Sequence, residues 1–144
     1  VTEGTLELND WVPFRRTMDR PNAVTMMGHV RVGVLDTTAP ASYSQTIIDG
    51  LLRKTWNYRG LIVTDDFSMG AITRGKPGIG AAAVKSLNAG ADLLLLSFSE
   101  KHFDTMMSAL LAADEAGEID HAALARSRAR LDRILSPLGA DPSN

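Results

Sequence analysis

The chain has 144 residues, of which 44% are hydrophobic, enough for one core and too few for two ordinary domains. Its 15 basic and 17 acidic residues are nearly balanced and no stretch concentrates one sign, so the composition does not indicate a nucleic acid or an anionic membrane as a partner. The absence of cysteine excludes disulfides, thiolate zinc sites and a cysteine nucleophile; the three histidines lack metal-binding spacing, so no metal or cofactor is expected, and no apolar stretch is long enough for a membrane span.

The predicted elements alternate between helices and short apolar strands. Periodicity and capping residues predict, in chain order, a helix over 8–18 with Pro13 in its first turn, a strand over 23–29, a helix capped by Ser44, a strand over 61–64, a helix over 81–89 ended by Gly90, a strand over 93–96, a helix whose apolar face spans 103–111, and a last helix capped by Asp120. This alternation predicts right-handed crossovers and an α/β fold with three parallel strands and flanking helices.

A sheet of only three parallel strands is a poor independent domain. The pattern therefore indicates part of a larger α/β structure. The chain also begins at Val1, in a polar segment, and we expect a longer gene product. The Pro-containing, polar tail over 136–144 is predicted to be loose.

Two adjacent carboxylates, Asp65 and Asp66, follow the second predicted strand. Ligands of parallel α/β folds bind at the carboxyl ends of the strands, and successive side chains of a strand point to opposite faces. If Val63 faces the interior, Asp65 does too, at the rim where a ligand would lie, while Asp66 points towards the loop or the neighbouring helix. The spacing alone also allows both residues to cap the following turn.

Three other side chains near the strand ends, considered without further information, are more readily explained by structural roles than by ligand binding. A lone histidine such as His29 is more often a hydrogen-bonded structural residue than a ligand contact. Met69 is more often a packing residue. Asp92 opens the third predicted strand at its amino end, the face of a barrel that serves stability, and is therefore predicted to be structural.

The chain resembles the family 3 glycoside hydrolases, especially their bacterial β-N-acetylglucosaminidase or β-N-acetylhexosaminidase branch. The resemblance covers nearly the whole sequence and rests on ordered blocks. These are Leu8–Arg15, with its Pro-Phe-Arg; Met26–Val30, similar to "M-x-x-H-V"; Asp36–Ser44, similar to "D-x-x-P-A-S-x-S"; Leu51–Arg53 with Tyr58–Met69, which contains the Thr-Asp-Asp sequence; Leu87–Asp92; and Gly117–Asp120 with the arginine-bearing helix.

The resemblance implies that the chain is the C-terminal portion of a (β/α)8 TIM-type barrel, contributing the sixth, seventh and eighth strands and the closing helices. It also implies an exo-acting enzyme that releases terminal β-linked N-acetylhexosamine with retention, through a covalent glycosyl-enzyme on Asp65. His29 and Met69 match family positions near the bound sugar. The implied substrate is an N-acetylglucosaminide, such as a peptidoglycan fragment in bacterial cell-wall recycling, in the cytoplasm or the cell envelope.

One departure from the family is an absent motif. The "K-H-F-P-G" strand and the following loop, which supplies a histidine general acid/base and its aspartate partner, have no counterpart in these 144 residues. The resemblance therefore implies that the acid/base belongs to a missing N-terminal part of the barrel, joined covalently or as a separate segment. The alternatives are a β-glucosidase-like or phosphorolytic relative, and a non-catalytic carbohydrate-binding barrel without an acid/base.

Overall fold

The computed structural model describes residues 2–20, 22–97 and 100–136. Most of the predicted tail, 137–144, and Phe98 and Ser99 lie outside the described residues. In chain order the elements are α1 (Glu3–Thr5), a π-helix (Leu6–Asp10), α2 (Val12–Met18), β1 (Val24–Met27), a 3-10 turn (Ala41–Tyr43), a second π-helix (Thr46–Thr55), β2 (Leu61–Thr64), α3 (Gly70–Thr73), α4 (Ile79–Ala89), α5 (Glu100–Glu115) and α6 (His121–Leu135).

β1 and β2 form a parallel sheet, as the alternating pattern predicted. The register runs from Val24 opposite Leu61 to Met27 opposite Thr64. β2 has the predicted bounds, whereas β1 is shorter than predicted, because Ala23, Gly28 and His29 lie outside the ladder. The connection between the strands contains the second π-helix, so the crossover predicted for parallel neighbours is present.

The described residues do not show the third strand that was predicted over 93–96. This segment forms an isolated parallel bridge between Val63 and Leu93, and its Leu95 carbonyl accepts the Phe67 amide just beyond β2 at 2.9 Å. The Thr64 amide donates to the Leu93 carbonyl at 3.0 Å, but the Leu95 amide donates to the Thr64 hydroxyl at 3.1 Å instead of to a main-chain carbonyl. A side chain thus takes the place of the next ladder bond, and the segment lies beside β2 without becoming a strand.

The residues predicted to begin and end helices are largely confirmed. Pro13 lies in the first turn of α2. The Ser44 hydroxyl accepts from the Ile47 amide, although the helix that follows has π rather than α hydrogen bonding. Gly90 ends α4 at φ 101°, in the left-handed region that favours glycine, and Asp120 caps α6 by accepting from the Ala123 amide.

The helices cover one face of the sheet. Met27 and Ile62 are buried on that face against the second π-helix and the end of α4. On the opposite face, Val24 is 52% and Met26 56% exposed, and Leu93 continues the same row across the sheet at 41%. A parallel sheet ordinarily has both faces covered, so an apolar row of this kind is a surface suited to burial.

The predicted apolar face of α5 is only partly buried. Met106 packs into the core, but Phe103 and Leu111 are 53% and 59% exposed. α5 approaches α4 through small residues, because a Cβ on Gly80 would lie 2.5 Å from the Ala109 Cβ. Among the described residues, no helix combines the length and apolar character needed to cross a membrane.

Candidate active site at the carboxyl end of the sheet

Asp65 lies immediately beyond β2, at the carboxyl edge of the sheet. Its amide donates to the Met27 carbonyl at 2.9 Å, which continues the pairing with β1 by one bond. Its side chain is half-buried, and Oδ1 accepts the Asp66 amide at 2.9 Å. Within the described ranges no basic side chain forms an ion pair with this carboxylate. A carboxylate so placed is available to a ligand.

Asp66 is held by hydrogen bonds within the protein. Its Oδ1 accepts the amides of Ser68 at 2.8 Å and Ser97 at 3.1 Å, and its Oδ2 accepts the Ser97 hydroxyl in a short hydrogen bond. Burial alone would raise the pKa of Asp66, but the hydrogen bonds from Ser97 and Ser68 outweigh it, so this pKa lies well below its ordinary value. The Asp66 carboxylate therefore fastens the loop after β2 to the segment after Leu93.

His29, just beyond β1, uses both ring nitrogens. Its Nδ1 lies 2.7 Å from the Ser42 hydroxyl, and its Nε2 lies 3.1 Å from the Asp66 carbonyl oxygen. The Phe67 ring stands edge-on to the imidazole at 5.4 Å between centroids. The structure thus brings His29 to the loop that carries Asp65.

Met69 lies at the end of the same loop. Its amide donates to the Asp66 carbonyl at 3.0 Å, and its side chain is 44% exposed. Because Met69 precedes α3 in an extended conformation, the thioether is not drawn into that short helix. The three residues singled out in the sequence, Asp65, His29 and Met69, therefore belong to one edge of the fold.

Sequence reasoning missed the side chains that support this edge. Asp36 accepts the Ser44 hydroxyl at 2.6 Å and the Thr38 hydroxyl at 2.7 Å, which shapes the loop that carries Ser42. The hydrogen bond from Ser44, followed by those from Thr38, holds the pKa of Asp36 well below its ordinary value. The block over 36–44 contains two serines and two threonines, but nothing in its local pattern indicated which residues their hydroxyls contact.

The opposite edge of the sheet is structural, as predicted for Asp92. The fully buried Asp92 carboxylate pairs with Arg53 at 2.6 Å and with Arg130 at 2.7 Å, and it also accepts the Ile62 amide at 2.7 Å. A cavity of about 400 Å³ near this edge is lined by Trp56, Arg133 and neighbouring residues, and does not include Asp65. The described residues contain no group of three histidine or acidic side chains that could hold a metal ion.

The fold and this edge define an α/β unit with two carboxylates at a strand end. The sequence profile of the "Glycosyl hydrolase family 3 N terminal domain" matches residues 1–134. The chain therefore belongs to glycosyl hydrolase family 3.

Relatives in this family include proteins named beta-hexosaminidase or beta-N-acetylglucosaminidase. The chain is 31% identical over 134 residues to the beta-hexosaminidase LpqI of Mycobacterium tuberculosis, a match that covers 90% of this chain and 34% of that protein. A family 3 beta-N-acetylglucosaminidase from a Paenibacillus species superposes with a TM-score of 0.90 at 33% identity over 100% of this chain and 28% of its own. The beta-N-acetylglucosaminidase of Thermotoga maritima gives 0.85 at 26% identity, covering 94% and 30%. The chain spans about a third of the length of these relatives.

Proposed function

We propose that this chain contributes the nucleophile to a retaining β-N-acetylhexosaminidase, with Asp65 as the attacking group. The contrast between two neighbouring carboxylates carries the proposal. Asp66 accepts three hydrogen bonds within the fold, from Ser68 and Ser97, whereas Asp65 accepts only the amide of its own neighbour from the described residues. Of the two carboxylates, Asp65 therefore has the greater acceptor capacity left for a sugar.

The proposed reaction is a double displacement. An Asp65 oxygen bonds to the anomeric carbon as the bond to the leaving oxygen breaks, and a general acid protonates that oxygen. Water, deprotonated by the same group, then attacks the anomeric carbon and releases Asp65 with the original configuration retained. The acid/base is proposed to come from barrel residues outside these 144 positions.

We further propose that the described α/β unit is the C-terminal portion of a (β/α)8 barrel, in which β1, β2 and the segment over 93–96 correspond to the sixth, seventh and eighth strands. The exposed apolar row of Val24, Met26 and Leu93 supports this, because the interior of such a barrel is filled by layers of side chains. The chain also matches only about a third of the length of its relatives, which agrees with a partial barrel. In this proposal, barrel residues outside these 144 positions would cover the apolar row and supply the acid/base.

The substrate class follows from the names of the relatives, which are beta-hexosaminidases and beta-N-acetylglucosaminidases. A terminal N-acetylglucosaminide, such as a bacterial peptidoglycan fragment, is the proposed substrate. Met69 is proposed to line the sugar site, since its thioether is exposed beside the Asp65 loop. His29 lies next to the same loop and is proposed to act close to the sugar.

Azide rescue of Asp65→Gly in the complete protein tests this function. The variant is expected to lose activity on an aryl N-acetylglucosaminide by roughly 10³-fold or more, because covalent nucleophiles contribute on that scale. Azide should then restore turnover by entering the vacated face, which yields the α-glycosyl azide. In Asp66→Gly, the matched control, azide should have no effect. Rescue of Asp66→Gly in place of Asp65→Gly, or a β-azide product from Asp65→Gly, would contradict the proposal.

A further inference from the structure

The carbonyl oxygen of Asp66 accepts two hydrogen bonds at the carboxyl edge of the sheet. It accepts the Met69 amide at 3.0 Å from within the loop and the His29 Nε2 at 3.1 Å from the loop after β1. Asp65 shares a peptide unit with Asp66, and its own amide is already paired with Met27. The Asp66 carbonyl belongs to the following peptide unit, which meets the Asp65–Asp66 unit at the Asp66 Cα, and the Asp66 amide donates to Asp65 Oδ1 at 2.9 Å. A fixed Asp66 carbonyl therefore restricts the Asp66 amide and, through that hydrogen bond, the Asp65 carboxylate.

For a neutral His29 ring, the hydrogen bonds indicate which nitrogen carries the proton. A carbonyl oxygen can only accept, so the proton of the ring lies on Nε2. In the neutral imidazole Nδ1 is then an acceptor, and the Ser42 hydroxyl donates to it at 2.7 Å. With both nitrogens engaged by protein groups, the ring has no hydrogen-bonding atom left for a sugar hydroxyl.

Ser42 is itself held rigidly. It is 0% exposed, it lies in the 3-10 turn, and its carbonyl accepts the Ser86 hydroxyl at 2.9 Å. The loop before it is shaped by Asp36. On the other side, the fully buried Phe67 packs edge-on against the imidazole. The histidine is thus held at both nitrogens and by a ring contact with Phe67.

We propose that His29 and Ser42 form a positioning pair for the nucleophile loop. Ser42 selects the Nε2–H tautomer of His29, His29 holds the Asp66 carbonyl, and the carbonyl sets the orientation of Asp65. This deepens the proposed function, on which its catalytic consequence rests. His29 acts through the loop and not through a contact with the sugar.

Kinetics of the complete protein separate positioning from substrate binding. Ser42→Ala and His29→Leu should lower kcat by about 10²-fold, the scale on which a small displacement of a reacting group acts, with KM changed less than about threefold. His29→Gln, whose amide can still donate to Asp66, should recover most of the loss. Ser108→Ala, on the exposed side of α5, is the matched control and should behave as wild type. A raised KM at unchanged kcat in Ser42→Ala and His29→Leu would overturn the proposal.

A spectroscopic measurement makes the test independent of turnover. In ¹⁵N-histidine spectra of the wild type, the signal absent from His29→Leu should show the proton on Nε2, and Ser42→Ala should shift it towards a mixture of tautomers. Amides 65–69 should also exchange faster in Ser42→Ala. A proton on Nδ1, or unchanged spectra and exchange in Ser42→Ala, would refute the pair. If the azide test failed while these results held, the proposed function would be wrong and the positioning of the loop would stand.

Discussion

At the scale of single residues, the two neighbouring aspartates have different hydrogen-bond surroundings, as the alternation of side chains along a strand predicts. That rule is local, and it separated Asp65 from Asp66 in the sequence without knowledge of their partners. The partners themselves could not be predicted. Ser97 lies 31 residues from Asp66, and Ser42 lies 13 residues from His29, so no spacing pattern connects them. Their identity depends on how β1, β2 and the segment after Leu93 come together.

The Asp36 carboxylate makes stability depend on pH at the acid end. Its pKa in the fold is below the ordinary value of 3.8, so the stabilisation is complete above that value and is lost as pH falls towards the folded pKa. Asp36→Asn should lower the free energy of unfolding at neutral pH and flatten its decline below about pH 4. Asp104→Asn, at an exposed position on α5, should keep the wild-type decline. Urea unfolding at a series of pH values measures both, and an unchanged acid limb in Asp36→Asn would contradict the assignment.

At the scale of elements, apolar runs and the residues at helix ends predicted most of the architecture. They did not predict the main-chain hydrogen bonding of two segments. β2 was predicted with its observed bounds, and Gly90 and Asp120 end and begin helices as expected. The π hydrogen bonding of the helix over 46–55 was not predictable, because its apolar residues fit the ordinary helical period equally well. The segment over 93–96 has the composition of a strand, but the Thr64 hydroxyl intercepts its next ladder bond.

Gly60 allows β1 and β2 to approach at their amino ends. A Cβ at this position would lie 2.3 Å from the Ala23 carbonyl oxygen and 2.3 Å from the Tyr58 hydroxyl. Gly60→Ala should therefore destabilise the protein by about 1–3 kcal/mol, the usual cost of overpacking. Gly33→Ala is the matched control, since no atom lies within 4 Å of the added carbon. Thermal unfolding compares the two, and equal melting temperatures would show that the strands can separate without cost.

At the scale of the whole molecule, the buried Asp92 joins elements that are distant in sequence. Its carboxylate connects Arg53 of the second π-helix, the Ile62 amide of β2 and Arg130 of α6. The structural role expected at the amino end of a strand is thus supported by three contacts. The exposed face of the sheet, which carries Val24 and Met26, could be predicted only in part. The sequence indicated an incomplete sheet but not which side chains would be exposed.

Removing the charge of Asp92 should destabilise the whole fold. Asp92→Asn leaves two arginines without their buried partner, and the loss of one member of a buried pair costs about 3–5 kcal/mol. Asp132→Asn removes an exposed pair with Arg128 on α6 and should change stability by less than about 1 kcal/mol. Denaturant unfolding of the complete protein tests the difference. Equal losses in the two variants would contradict the structural role of Asp92.

The central claim is that Asp65 forms the covalent intermediate, and peptide mapping after inactivation tests it most directly. The complete protein would be treated with a fluorinated N-acetylglucosamine analogue whose deglycosylation is slow, then digested and sequenced by mass spectrometry. We predict a single added sugar on the peptide over 60–74, with the fragment masses placing it on Asp65, and no label in Asp65→Asn while Asp66→Asn is still labelled. A sugar attached to Asp66 or to a residue outside this peptide would contradict the account.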